Sequence, residues 1–99
     1  MAASATRFGE YIIPGGNGKR AEYGSITYDS DATVEVPSIL TIIESANFVE
    51  VVSGGSADVP SVDETLTAGL GIKVPSDGDV TVDTASSNSR SFLYTFIGY

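Results

Sequence analysis

The residues that most often carry catalysis are missing from this 99-residue chain. It contains no histidine and no cysteine, so neither a hydrolytic triad nor a thiolate metal site can be assembled. Serine is abundant, but neither lysine, Lys19 or Lys73, belongs to an S-x-x-K motif, and there is no G-x-S-x-G elbow. The sequence therefore predicts a protein that is not an enzyme and that holds no cofactor.

Closely spaced carboxylates are the second group that could do chemistry. Asp29 and Asp31 lie two residues apart, as do Asp77 and Asp79. Such pairs can act as the acid and base of a glycosidase or as oxygen ligands for Ca²⁺. Both pairs lie in predicted turns, where Asp is favoured because its side chain accepts hydrogen bonds from nearby backbone amides. We expect turn chemistry here, and the sequence leaves open whether either loop binds calcium.

A glycine-rich loop with two basic residues follows the first predicted strand. Gly15-Gly16-Asn17-Gly18-Lys19-Arg20 has the glycines of a phosphate-binding loop, but a P-loop needs Ser or Thr after the lysine and a helix after that. Two interpretations remain for this loop. It is either a solvated connection or a basic tip that contacts an acidic partner surface.

The elements that must position these residues are β-strands. Val, Ile and Thr are plentiful, glutamine is absent, and 11 Gly and 4 Pro separate the apolar runs. Branched side chains pack well on a pleated sheet and lose rotamer freedom in a helix. The composition predicts an all-β fold: a small antiparallel β-sandwich or jelly-roll-like domain of about 7–8 strands. We expect residues 1–99 to form this single domain, with residues 1–7 as an N-terminal arm.

Alternation of apolar and polar residues gives the strand positions. The predicted strands cover residues 7–13, 22–28, 32–36, 38–52, 66–74, 80–83 and 91–99. The segment 38–52 also fits a short amphipathic helix, but its branched residues favour a strand with a bulge or break near residues 45–47. Residues 53–64 are predicted to form a long connection. The last three strands are predicted to form a C-terminal three-stranded meander.

Charge is distributed unevenly along the chain. The net charge of −8 has the wrong sign for nucleic-acid phosphates and for anionic lipid surfaces, so both partners are disfavoured. No apolar run approaches the ~18 residues of a membrane helix, and the first seven residues lack a secretory apolar segment. Nine acids and no basic residue lie between Arg20 and Lys73. We predict one strongly negative end or face and another, nearly neutral, that is able to dock, with a uniformly acidic surface as the alternative.

The last predicted strand is apolar or aromatic on both faces up to Tyr99. Such a strand is expected either at the centre of its sheet or under a neighbouring subunit. With Thr81-Val82-Asp83 and the Ser/Asn-rich turn before it, the strand resembles the closing hairpin of small structural proteins of tailed bacteriophages. Those proteins often end in an aromatic strand followed by Ile-Gly and a final aromatic residue. The resemblance covers residues 81–99, and more loosely residues 33–38 and the apolar strand after them.

Within that group, the resemblance implies a head decoration (cement) protein that binds the outside of the head lattice and stabilises it. The implied partners are the major capsid protein or other virion lattice subunits, and the chain is expected to be a homo-oligomer, with a trimer favoured. The implied location is the capsid surface of the virion, after a soluble stage in the host cytoplasm. Charge and expected exposure suggest these contact residues: Arg7, Phe8, Lys19, Arg20, Arg90, Phe96 and Tyr99.

Two alternatives remain for the function. One is a β-sandwich binding module for a glycan or another surface ligand, which would use some of the five tyrosines for stacking. The other is a tail- or fibre-associated virion subunit.

Overall fold

The computed structural model of the chain describes residues 4–28, 33–52, 60–67, 69–84 and 90–99. Within these residues the chain forms strands and turns and no helix. The strands are β1 (Ser4–Ile12), β2 (Arg20–Tyr28), β3 (Thr33–Pro37), β4 (Ile42–Val52), β5 (Ser61–Val62), β6 (Leu66–Thr67), β7 (Gly71–Lys73), β8 (Asp79–Asp83) and β9 (Arg90–Gly98). The predicted all-β fold is confirmed.

The strands form two antiparallel sheets. The large sheet has the order β1-β2-β9-β4-β7-β6, and the small sheet has the order β3-β8-β5. β9 lies between β2 and β4 along almost its whole length, which is the first of the two positions expected for the last strand. Residues 4–7 of the expected N-terminal arm belong to β1 and pair with β2.

The core lies between the two sheets and is built from alternate residues of each strand. The large sheet contributes aromatic and branched side chains, and the small sheet contributes valines. The buried cluster comprises Ile26, Tyr28, Val34, Val36, Leu40, Ile43, Val74, Val80, Val82, Phe92, Tyr94 and Phe96. Tyr28 and Phe92 meet edge to face with ring centroids 6.0 Å apart. The Tyr28 hydroxyl donates to the Val82 carbonyl oxygen at 2.9 Å, which ties the large sheet to the small one.

The predicted C-terminal meander is wrong. β7 pairs with β4, β8 pairs with β3 and β5, and β9 pairs with β2 and β4, so the last three strands are not neighbours. The chain crosses to the small sheet between β7 and β8 and is back in the large sheet at β9. Alternation shows which residues of a strand share a face, but it does not show which strand lies beside it. In a sandwich, strands that follow one another in the chain can belong to opposite sheets, and their alternation looks the same as that of paired neighbours.

The single strand predicted for residues 66–74 is also wrong. The chain turns at Gly69, whose φ of 76° is left-handed, and β6 and β7 form a short hairpin. Leu70 N donates to the Thr67 carbonyl oxygen at 3.0 Å to close this turn. Leu66 and Leu70, which a single strand would place on the same side as the buried Val74, are exposed. A period of two cannot distinguish one long strand from two short strands with a glycine between them.

The ambiguous segment 38–52 contains a strand, as the sequence favoured. β4 shifts its register against β9 between Ile43 and Ser45, at the border of the predicted break, and again between Glu50 and Val52. Several predictions lie outside the described residues: the turn at residues 29–31, the part of the long connection at 53–59 and the turn at 85–89.

Candidate interaction surface

The outward side of the large sheet carries no charge on the neighbouring strands β2 and β9. In β2 the outward positions are Ala21, Tyr23, Ser25 and Thr27, and in β9 they are Ser91, Leu93, Thr95 and Ile97. Thr27 and Ser91 lie opposite each other, and their hydroxyl oxygens are 3.4 Å apart. The alternate positions of both strands are buried in the core, and among the outward positions Ala21 is also fully buried.

The flanking strands continue the same surface. β1 adds Ser4, Thr6, Gly9 and Tyr11, and β4 adds Ser45, Asn47 and Val49. The charged residues of these four strands occupy the positions that alternate with the outward ones. The exception is Glu44, which lies at the first register shift of β4. We call the outward residues of β1, β2, β9 and β4 the uncharged face.

Large side chains are exposed on the uncharged face. Tyr11 is 53% exposed, Tyr23 39%, Leu93 43% and Val49 61%. The ring centroids of Tyr11 and Tyr23 are 6.2 Å apart. The side chain of Tyr23 lies over Gly9, and a Cβ atom at position 9 would be only 2.8 Å from the Tyr23 hydroxyl oxygen. Hydroxyl, amide, aliphatic and aromatic groups are therefore presented together on an open sheet. Such a surface can form van der Waals contacts and hydrogen bonds, but no ion pairs.

The outward side of the small sheet is acidic. Its charged members are Glu35 on β3, Asp79 and Asp83 on β8, and Asp63 directly after β5. All five basic residues of the chain lie outside this sheet, at positions 7, 19, 20, 73 and 90. Glu35 accepts a hydrogen bond from Thr81 Oγ1 at 3.2 Å. We call the outward residues of β3, β8 and β5, together with Asp63, the acidic face.

Two carboxyls of the acidic face interact directly. A hydrogen bond to the Asp83 side chain raises the pKa of Asp63, and the negative charge of Asp83 raises it further. Asp63 is anchored next to Asp83 because its backbone N–H donates to the Thr81 carbonyl oxygen at 2.8 Å. The fold thus holds like charges together here.

Most basic residues are already engaged with acids. Arg7 Nη1 lies 3.5 Å from the buried Glu22 carboxylate, Lys19 Nζ lies 2.8 Å from Glu44, and Arg20 Nη1 lies 3.9 Å from Glu10. The hydrogen bond to Glu44 raises the pKa of Lys19. The predicted basic tip is therefore largely neutralised within its own subunit.

Glu22 organises the connection between β3 and β4 from inside the sandwich. Its carboxylate accepts hydrogen bonds from Ser38 Oγ and from Ile39 N. Its negative charge also acts on the neighbouring Tyr94, whose pKa is raised to about 12, first by burial and then by Glu22. Through these two hydrogen bonds, Glu22 holds the β3–β4 connection against β2.

The structure separates the seven expected contact residues. Arg90 and Phe96 are buried, with 1% and 0% of their surface exposed, so assigning them to a contact surface was wrong. Arg90 donates to Glu50 at 2.8 Å and to Thr84 at 3.0 Å. The remaining five are Arg7, Phe8, Lys19, Arg20 and Tyr99, and none of them lies on the uncharged face. Phe8 lies in the bulge of β1, and Tyr99 follows the end of β9.

Sequence reasoning missed the exposed members of the uncharged face, above all Tyr23, Leu93 and Val49. The signal was available, because every second residue of 21–27 and 91–97 is uncharged. What the sequence could not supply is the pairing of β2, β9 and β4, which joins these separate stripes into one surface.

The turn at Asp77 and Asp79 and the cleft near Lys73 are weaker candidates for a site. Asp77 Oδ1 accepts a hydrogen bond from Asp79 N at 3.0 Å, which is the turn chemistry expected for that pair. Asp29 and Asp31 lie outside the described residues, and the described part of the chain gathers no three Asp or Glu side chains that could hold a metal ion. An open cleft of about 610 Å³ near Lys73 also includes Glu64, but that carboxylate accepts a hydrogen bond from Thr81 N at 2.7 Å.

Nothing in the described residues forms a helix long and apolar enough to span a membrane. Comparison of the chain with protein-family models, with curated proteins and with solved structures finds no match. The uncharged face and the acidic face are therefore the features on which a function can be argued.

Proposed function

We propose that this chain is a non-enzymatic structural protein of a bacteriophage virion, a decoration protein that binds the outside of the head lattice and stabilises it. The observation that supports the proposal is the separation of charge between the two sheets. An uncharged face formed by four of the six strands of the large sheet lies on one side of the sandwich, and a face with four acids and no basic residue lies on the other. A subunit that coats a particle needs one side for the particle and another for the solvent.

The physical role follows from binding at repeated sites. A protein that binds the assembled shell and not its separated subunits stabilises the assembled state by mass action. Each copy also buries surface between itself and the lattice. The net charge of −8 keeps the free chain soluble and disfavours binding to the packaged genome. We propose the major capsid protein or another lattice subunit as the partner, and a homo-oligomer, with a trimer favoured, as the bound form.

Co-sedimentation with empty shells tests the proposal. The purified chain is mixed with shells that lack it, and bound protein is measured against free concentration, with the mass of the free chain determined by light scattering. We expect saturable binding to heads and none to isolated tails. An acidic β-sandwich of similar size serves as the control for non-specific retention. A chain that ignores heads would contradict the proposal, and a chain that binds tails alone would assign it to the tail.

A glycan-binding module is the second candidate, because Tyr11 and Tyr23 form an exposed aromatic pair. Sugar rings stack on such pairs, and neighbouring hydroxyls and amides supply hydrogen bonds. A glycan array followed by calorimetry separates the two functions. Binding that Tyr23→Ala abolishes, from a chain that does not bind shells, would favour the glycan module.

A further inference from the structure

We infer that the uncharged face is the docking surface and that its occupant is an uncharged surface of a folded protein, the shell subunit. The inference rests on the proposed function and adds to it the face that binds and the chemistry of the partner. Three observations carry it: the charge on each face, the size of the uncharged face and the exposure of its central residues.

The charges on the two faces determine which face can approach a partner and which charge the partner surface can carry. A basic surface would be drawn to the acidic face, where Glu35, Asp63, Asp79 and Asp83 have no basic neighbour within the small sheet. An acidic surface would be repelled by a chain of net charge −8. Against the uncharged face, a charged partner group would lose its hydration and gain no ion pair. The surface that fits there is uncharged.

The size of the uncharged face matches a modest protein interface. Strands about 4.8 Å apart, with about 3.4 Å per residue, give four strands of this length a face of roughly 600 Å². A complex would then bury roughly 1,200 Å² over both partners, at the lower limit of specific interfaces and above most lattice contacts in crystals. An interface of this size suits a subunit that binds at many equivalent positions on a shell.

Leu93 lies at the middle of the uncharged face. It is opposite Ser25 on β2 and opposite Val49 on β4, and it is 43% exposed. Leu93 would therefore lie near the centre of any contact that covers the face. The central residues of an interface are the most fully desolvated. A charge of either sign at this position would be buried without a partner.

Two opposite charges at position 93 provide the test. Leu93→Lys and Leu93→Glu are compared with wild type in the shell co-sedimentation assay, with Thr33→Lys on the acidic face as the matched control. We expect both Leu93 variants to bind at least about tenfold more weakly, because each buries an unpaired charge. Thr33→Lys should bind like wild type. Val49→Lys, at a more exposed neighbouring position, repeats the test, and circular dichroism checks that each variant is folded.

Each other outcome has a distinct meaning. If wild type does not bind shells, the proposed function fails, and the inference fails with it. If wild type binds and the Leu93 and Val49 variants bind equally well, only the inference fails. Tighter binding by one of the two Leu93 charges would show that the partner surface is charged, which also overturns it. A wild-type self-complex that Leu93→Lys dissociates without shells would assign the face to a second copy instead.

Discussion

Single side chains carry two different electrostatic roles in this molecule. Arg90, at the start of β9, is buried and binds Glu50 and Thr84, and its guanidinium lies 4.8 Å from the centre of the Phe92 ring. It stabilises the end of the sandwich. Asp63 and Asp83 do the opposite, because the fold brings two like charges together on the acidic face. Removing a charge there is expected to help the fold.

Asp63→Asn is expected to raise the melting temperature at pH 7 and to have less effect at pH 3. The pKa of Asp63 is higher in the folded chain than in the unfolded chain, so the folded state holds its proton more tightly. Stability is therefore lost as the pH rises above about 4, where the unfolded carboxyl ionises. The asparagine keeps a donor for Asp83 and removes the repulsion.

Melting curves of both proteins at the two pH values measure this effect. Asp79→Asn is the matched control, because it removes the same charge from the same face, at a residue that lies opposite Pro37 and four residues from Asp83 on the same strand. An equal stabilisation by both variants at both pH values would show that the Asp63 pair has no special role.

At the scale of elements, the close approach of β9 to β4 depends on Gly98. A Cβ atom at this position would overlap the Ile42 carbonyl oxygen, which accepts a hydrogen bond from Tyr99 N at 3.0 Å. Gly98→Ala is expected to reduce the free energy of unfolding by about 2–3 kcal/mol, since backbone must move to make room. Urea denaturation measures the loss.

Gly69→Ala separates steric overlap from backbone conformation. Gly69 has a φ of 76° and no atom near the position of a Cβ, so alanine there meets only conformational strain. We expect a loss of about 1 kcal/mol for that control. If Gly98→Ala reduces the free energy of unfolding no more than Gly69→Ala does, β4 and β9 can accommodate a side chain at position 98. That result would contradict the overlap with the Ile42 carbonyl oxygen.

At the scale of the whole molecule, the excess of acid acts against the compact state. Thirteen acids and five basic residues share a chain of 99 residues, and several acids gather on one face. Raising sodium chloride from about 0.02 to 0.5 M shortens the Debye length from about 20 Å to about 4 Å and screens this repulsion. The melting temperature is therefore expected to rise by about 2–5 °C.

The same series with Thr33→Lys tests the cause. A positive charge among the acids of the small sheet should raise the melting temperature at low salt and reduce its dependence on salt. A wild-type melting temperature that falls with salt would show that the ion pairs, such as Lys19 with Glu44, outweigh the repulsion.

Residue types alone determined the class of fold and the chemistry that is missing. Branched residues and alternating runs such as Val34, Val36, Val80 and Val82 indicated strands and most of their inward residues, because a strand's period of two is a local property. Lack of histidine and cysteine is likewise read directly from the sequence. The uneven position of the basic residues predicted an uneven surface charge, but it did not indicate which strands would carry the acids, since Asp79 and Asp83 of the acidic face lie after Lys73.

Tertiary structure alone decided which strands are neighbours and which side of the molecule each set of alternate residues faces. Phe96 and Arg90 look like surface candidates in the sequence, yet the sandwich buries both, because β9 is central and its inward side is covered. Tyr23, Leu93 and Val49 are far apart in the chain and lie on one surface only because β2, β9 and β4 pair. Strand pairing joins distant segments through backbone hydrogen bonds that are the same for every residue type, except that proline has no N–H to donate, so local composition does not encode the choice of partner strand.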